Sequence, residues 1–253
     1  MKKICFSIAD NNNLKYYEKL KNSWNKFCPD VELRLWDEAK IKTYKQEHWF
    51  YKATPIIANE LFAEGYDAVL KMDADQIVTG NLDHIWEDDY DVAVVQNSNP
   101  RDIEFCKPYI AKGIHRLSIW FIPELLYVNA GMVLMKGKEF TKQWELLTET
   151  HFAPYRFGEQ DLLNIMIFYG DYKVRFLDMS DKWYGLISKW YWKEIEKDGD
   201  RLVLKKNKEW PSDEDKTIKV IHVAGGGKMG EKFKDLDKDF KPEVASYLKT
   251  LIA

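Results

Sequence analysis

Two acids one residue apart, Asp73 and Asp75, sit inside the stretch YDAVLKMDADQIVTGNLDHIW, Tyr66 to Trp86. Like charges that close repel, and burial raises the cost unless a cation or a shared proton compensates. Six D-x-D triplets occur in this chain (Asp73/Asp75, Asp89/Asp91, Asp198/Asp200, Asp213/Asp215, Asp235/Asp237 and Asp237/Asp239), so the pattern alone decides nothing. Context separates the first, which alone directly terminates a strong apolar strand, and open α/β sheets bind ligands at the carboxyl ends of their strands. In extended geometry residues two apart point to the same side, so Asp73 and Asp75 can converge on one hard divalent cation through oxygen ligands. The competing reading is a solvated acidic turn.

A second station is VIHVAGGGKMG, where His222 ends or lies within an apolar strand and precedes Gly225, Gly226, Gly227 and Lys228. Glycines let backbone amides approach an anion closely, and a lysine in the same loop supplies a point charge suited to phosphate. Without P-loop or dinucleotide spacing the glycines are weak alone, and a lone histidine near an apolar strand is more often structural. In combination, a cation, an imidazole and an anion-binding loop are the parts that hold a nucleotide diphosphate through a metal. In GEQDLLN, Gln160 and Asp161 can serve the first turn of a helix, favourable for an acid.

The elements that must position these residues are an alternation of strands and helices. KICFSIA reads as a short continuous apolar strand, and LKYYEKLKNSWNKF has helical spacing at Leu14, Tyr17, Leu20 and Trp24. VELRLW follows as a strand, then a helix around TPIIANELFAEG with Pro55 near its first turn, then the strand AVLKM. Further strands are expected in YDVAVVQN, LLYVNAGMVLMK, YKVRFLD and TIKVIHV, and helices in KEFTKQWELLTET, GEQDLLNIMIFYG and the tail KPEVASYLKTLIA. Gly131 weakens its strand but lets another backbone or a ligand come close. This order predicts an α/β fold with a mostly parallel, Rossmann-like central sheet flanked by helices. The 253 residues suit a single domain, with the aromatic-rich 178–216 segment as an insert.

Composition narrows the function classes. With 38 basic and 41 acidic residues the formal net charge is -3, so the field that drives nucleic-acid binding is missing and no nucleic-acid partner is expected. Cys5, Cys28 and Cys106 match neither a disulfide framework nor a zinc pattern, which suits a reducing compartment. The N-terminal MKKICFSIADNNN is too short in apolar residues for a signal peptide, and no segment approaches the roughly 20 apolar residues of a membrane span. A cytoplasmic protein is expected.

The ordered series FSIAD, FYKATPIIANELF, YDAVLKMDADQIVTGNLDHIW, YVNAGMVLM, GEQDLLN and IHVAGGGKMG resembles the GT-A fold glycosyltransferases, most of all family 8, the retaining enzymes that include glycogenin and bacterial lipopolysaccharide galactosyl- and glucosyltransferases. The resemblance implies transfer of a hexose (glucose, galactose or N-acetylhexosamine) from a UDP-sugar to a glycan, lipid-linked or protein acceptor. It places Ala9 and Asp10 against the uracil and ribose, and makes Lys52 a basic donor-binding side chain. The Asp73-Ala74-Asp75 segment would bind the donor, with Asp73, Asp75 and His222 ligating Mn2+ or Mg2+. Asn129 and Ala130 would approach the sugar and the acceptor side, Gln160 and Asp161 the reacting carbon, and Gly225 and Lys228 the diphosphate. Where the family commonly reads HxxGxxKPW, this chain reads HVAGGGKMG, without the proline and tryptophan.

Such a transfer needs the charge developing on the departing diphosphate neutralised, and an oxocarbenium-like sugar favoured by nearby carboxylate or amide oxygens. Two other readings compete. A phosphohydrolase of the haloacid dehalogenase type also carries D-x-D after an apolar strand with Mg2+, but on its first strand, whereas at least two strand-like runs precede Asp73 here. A non-catalytic nucleotide-sugar-binding protein on the same fold is the other. In DKWYGLISKWYWKEI, the residues Trp183, Tyr184, Trp190, Tyr191 and Trp192 either stack on an acceptor sugar or anchor the insert on the core. Peripheral membrane contact is a lesser reading of this lysine- and tryptophan-rich stretch.

Overall fold

The computed structural model describes residues 1–44, 49–96, 127–151, 158–177, 182–183, 192–205, 216–223, 233 and 235–253. The chain enters as β1 (Lys3–Ala9), whose residues from Ile4 to Ala9 are all buried, and continues through α1 (Leu14–Phe27) to β2 (Glu32–Asp37). The buried positions of α1, Tyr16, Tyr17, Leu20, Ser23 and Trp24, recur at helical spacing and give it one inward face. A short α2 (Glu38–Lys42) is capped by the Asp37 carboxylate, which accepts from the Lys40 amide.

The next helix differs from its expected form. α3 spans Trp49–Ala63, so Pro55 lies in its interior rather than near its first turn. A proline there has no N–H to offer the carbonyl four residues back, and packing of the helix against its neighbours compensates for that local loss. Its end is sharply defined: Gly65 adopts φ 88°, its amide donates to the Phe62 carbonyl at 3.2 Å, and the Tyr66 amide donates to the Leu61 carbonyl at 3.2 Å. This Schellman ending, with Leu61, Phe62 and Tyr66 in one apolar cluster, delivers the chain into β3 (Ala68–Met72).

After β3 come β4 (Gln76–Val78), a 3-10 turn (Asp83–Trp86), β5 (Val92–Gln96), β6 (Val128–Met135), α4 (Lys138–His151), α5 (Glu159–Tyr169) and β7 (Val174–Phe176). The remainder comprises β8 (Lys182–Trp183), β9 (Ile195–Asp198), β10 (Arg201–Leu204), β11 (Lys216–Ile218), β12 (Val220–His222), α6 (Leu236–Asp239) and α7 (Pro242–Ile252). The main sheet has the order β2-β1-β3-β6-β5-β7. Its β1–β2, β1–β3 and β5–β7 pairs are parallel, while β6 runs antiparallel to both neighbours. A four-stranded sheet β8-β11-β10-β9 and the pair β12-β4 complete the described strands.

Helices cover both faces of the main sheet. On one side Ile4, Phe6, Ile8, Val69 and Val133 pack with residues of α3, α4 and α5; on the other Cys5, Leu70, Met72 and Leu134 pack with Leu20 and Trp24 of α1. Alternate residues of the central strands thus feed two cores, which is what a sheet buried on both faces requires. The second sheet rests on α7 through a third cluster that contains Trp192, stacked on Phe240 with ring centroids 4.8 Å apart. Trp24, Trp36, Trp86, Trp144 and Trp192 are all fully buried, which assigns half of the ten tryptophans to packing rather than to sugar stacking. Trp192 is therefore an anchor; Tyr184, Trp190 and Tyr191 lie outside the described residues.

One buried amide sets the position of β6 relative to α5. Asn164 accepts from the Val128 amide at 2.7 Å and donates to the carbonyls of Val128 at 3.0 Å and Gln160 at 2.8 Å. Its removal strands a buried backbone N–H and a C=O, each worth about 1–3 kcal/mol when unpaired. Asn164→Ala is expected to lower stability by roughly 2–4 kcal/mol in urea unfolding at unchanged m-value; a loss under about 1 kcal/mol would show that the amide does not clamp these elements.

Candidate active site

Asp73 and Asp75 do converge, but not through extended geometry. β3 stops at Met72, and residues 73–75 form a turn closed by the Gln76 amide on the Asp73 carbonyl at 3.2 Å. The turn, rather than strand pleat, brings the two carboxylates to one side, because it folds the second acid back beside the first. Asp75 is nearly buried and Asp73 is half-exposed. Ala74 between them is buried against Ala9, Tyr16 and Tyr17, which seats the turn on β1 and α1.

The third member arrives by strand pairing. β12 runs antiparallel to β4 with His222 opposite Gln76, and the Val223 amide donates to the Asp75 carbonyl at 3.0 Å. This register sets the His222 Nε2 2.9 Å from Asp75 Oδ1 and 3.4 Å from Asp73 Oδ2. Ligand atoms of Asp73, Asp75 and His222 all lie within 4.8 Å of one another. Two hard carboxylate oxygens and one imidazole nitrogen make a donor set suited to Mn2+ or Mg2+.

A glycine makes room for this cluster. Between Val94 and Val95 of β5 the pairing of β6 jumps from Val133 to Asn129, so Ala130, Gly131 and Met132 form a bulge. The bulge turns the Gly131 carbonyl to the Asp73 amide at 2.8 Å and to Gln76 Nε2 at 3.0 Å. A Cβ on Gly131 would stand 2.5 Å from His222 Cε1 and 2.8 Å from Asp73 Oδ2. The residues present therefore fit a metal: its donors point inward, and the backbone wall beside them is as thin as a polypeptide allows.

Across β6 lies the start of α5. Gln160 Oε1 accepts from the Ala130 amide at 3.0 Å, and its Nε2 donates to the Tyr127 hydroxyl at 3.2 Å; that hydroxyl donates to Asp161. Asp161 is wholly buried. The Asp161 carboxylate turns toward Tyr127, while half-buried Gln160 lies toward the β6 bulge. Neither acid of the first turn acts as the cap, since Gly158 occupies that position without a side-chain bond. Asn129 is half-buried, and its Oδ1 accepts from the Gly131 amide at 2.6 Å, within its own bulge.

The donor-side candidates are less gathered. Ala9 has no exposed surface, whereas Asp10 beside it is half-buried. Asp10 Oδ1 accepts from the Asn13 amide at 2.9 Å and from Asn13 Nδ2 at 2.8 Å, which shapes the entry to α1. Lys52 stands half-buried in the first turn of α3. Gly225 and Lys228 lie outside the described residues.

Three residues escaped the sequence reading. Lys71 is buried in β3 and donates to Asp73 and, at 2.7 Å, to the Ala130 carbonyl. Its signal was a lysine inside an otherwise apolar strand. Tyr127, directly before VNAGMV, carried no distinguishing pattern. Glu159 is buried, its Oε2 lacks a partner, and burial pushes its carboxyl from 4.5 up to about 8; Lys71 opposes that shift, while Asp73 and Asp161 add to it.

Helices on both faces of a mostly parallel sheet, with two acids and a histidine gathered at the strand ends, match the GT-A fold. The model of Glycosyl transferase family 8 matches residues 2–229, and the chain belongs to that family. Among solved structures, an active-site mutant of LgtC is 16% identical with a TM-score of 0.60, covering 98% of this chain and 94% of that one. The WbbM bifunctional glycosyltransferase is 15% identical with a TM-score of 0.59 over 98% of this chain, which spans only 51% of WbbM. A glycosyltransferase involved in glycosylation of the major capsid of PBCV-1 is 14% identical with a TM-score of 0.54, covering 94% of this chain and all of that one. At these identities the structures show the fold. No curated protein matches the chain. Family membership sets aside the phosphohydrolase reading, and β1 and β2 both precede the acid-bearing β3. Among the described residues no helix is long and apolar enough to cross a membrane.

Two outcomes test this geometry. Gly131→Ala is expected to weaken Mn2+ binding at least about tenfold in calorimetry, since its Cβ cannot coexist with His222 and Asp73 as they stand. Unchanged affinity would show that the bulge does not border the metal. Glu159 gives a pH signature. Between 4.5 and about 8 the unfolded chain releases this proton and the folded chain keeps it, so wild-type stability falls as pH rises through that window and levels off above it. Glu159→Gln removes the term, and its Tm relative to wild type should climb from pH 5 to pH 8; a constant difference would refute the raised carboxyl.

Proposed function

We propose that the protein transfers a hexose from a UDP-sugar to a hydroxyl of a glycan, lipid-linked or protein acceptor, with metal dependence and retention of anomeric configuration. The observation that carries the reading is the convergence of Asp73, Asp75 and His222 beside Gly131, in a chain of glycosyltransferase family 8. Mn2+ or Mg2+ held by those three side chains would supply positive charge to the diphosphate leaving group. Gly225 and Lys228 join this proposal as amide and ammonium donors to the same diphosphate.

The chain's own residues do the orienting. Gln160 is fixed at both ends of its amide, by the Ala130 N–H and by the Tyr127 hydroxyl, so it meets a sugar without reorganising. Asp161, which accepts from the Tyr127 hydroxyl, stands beside Gln160 as the carboxylate candidate for the same sugar face. Asn129 borders the acceptor side, and Asp10 and Lys52 the nucleotide and donor side.

A panel of UDP-sugars, with UDP release followed with and without Mn2+, tests the reading. One donor should be hydrolysed slowly without acceptor, and Asp75→Ala should lose at least about a hundredfold in rate while keeping its fold by circular dichroism. UDP binding that persists undiminished in EDTA would sink the metal assignment. Absence of hydrolysis and of transfer for every donor would leave a nucleotide-sugar-binding protein.

A further inference from the structure

Lys71 is the one lysine among five consecutive buried residues of β3, and only 5% of it is exposed. A buried ammonium persists only where its charge and protons are met. Its Nζ donates to Asp73 Oδ1 and to the Ala130 carbonyl, the latter at 2.7 Å, so it ties the acidic turn to the β6 bulge. With Oδ1 engaged, Oδ2 is the Asp73 oxygen that approaches His222 Nε2, at 3.4 Å. The other charged group shown to interact with Lys71 is Glu159 at the start of α5, a carboxyl that burial holds largely uncharged at neutral pH.

We propose that Lys71 is a built-in countercation that restricts Asp73 to one metal-facing oxygen and weakens the site for a bare divalent ion, so that metal and nucleoside diphosphate are held as a pair. This rests on the metal-dependent reading above. The buried Lys71 side chain thus sets a basic group directly against the Asp73 carboxylate, beside the two acids that would hold the ion. An arriving divalent ion meets both the ligands and a fixed positive charge a few Å away, a repulsion that survives screening because the ammonium is buried. A diphosphate brings the missing negative charge and offsets both cations. The coupling between metal and nucleotide is then larger than the ligand set alone would produce.

Mn2+ binding is to be measured by electron paramagnetic resonance, with and without saturating UDP, for wild type, Lys71→Met, Lys71→Gln and Lys71→Arg. Lys71→Met and Lys71→Gln should each tighten Mn2+ binding without nucleotide by about tenfold or more, and shrink the gain that UDP confers. Lys71→Arg, which keeps the charge, should behave as wild type. Gln retains a donor for Asp73 without the charge, so it separates electrostatics from positioning. A merely structural lysine would give the opposite result, weaker or unchanged Mn2+ binding in both neutral variants, and would overturn the proposal. Thermal unfolding of each variant identifies any that fails to fold, and Lys71→Gln, the most conservative neutral change, then decides. If wild type binds no Mn2+ even with UDP, the metal-dependent reading itself fails, which is distinguishable from a wild type that binds both while the neutral variants do not tighten.

Discussion

Asp73 and Asp75 can share a small volume only because positive and polar groups are built around them, and much of the local structure serves that constraint. Three separate parts of the chain meet the two carboxylates: Lys71 from β3, the Gly131 bulge from β6, and His222 from β12. Each arrives by a different device. Lys71 shares the strand that leads into the turn, Gly131 depends on a register jump against β5, and His222 depends on the antiparallel pairing of β12 with β4. A single strand cannot place all three, since its side chains alternate and none of its backbone can fold back over its own end.

The same bulge joins the acidic cluster to the α5 side. The Ala130 amide is taken by Gln160, its carbonyl by Lys71, and the next carbonyl, of Gly131, by the Asp73 amide and Gln76. Successive peptide groups of one strand thus face different partners, which is what an irregular strand permits and a regular ladder forbids. Asn164 and Tyr127 hold α5 against this segment, so Gln160 and Asp73 are referenced to one stretch of backbone. Positions set through a shared rigid element are held more tightly than positions set by separate loops.

Much of this was legible in the sequence, for reasons that differ between residues. KICFSIA is a short, mostly apolar run and LKYYEKLKNSWNKF carries helical periodicity, and β1 and α1 follow them with matching bounds. The special standing of the first of six D-x-D triplets followed from the apolar strand before it. The antiparallel course of β6 was not legible, because pairing direction is decided by long-range contacts and leaves no mark on local pattern. The interior position of Pro55 was hidden for a related reason: local propensity argues for a helix that starts near the proline, and packing overrides it. Which of Gln160 and Asp161 turns inward at the start of α5 was not legible either, because only the location of Tyr127 reveals it.

The geometry of the acidic turn also explains why a strand-based expectation could reach the right pair by an imperfect route. In a strand, two acids at alternate positions stand about two residues' rise apart, near 7 Å, so each side chain must lean toward the other to reach one ion. A turn shortens that distance and frees the second acid's carbonyl to accept the Val223 amide, which is the bond that seats the strand bearing His222. The turn is thus part of the ligand set's construction: it brings the acids together and, through the same backbone, recruits the imidazole. Extending β3 through Asp75 would preserve the D-x-D sequence yet remove the bond that positions His222, so the pattern acquires chemical meaning only when the strand ends before it.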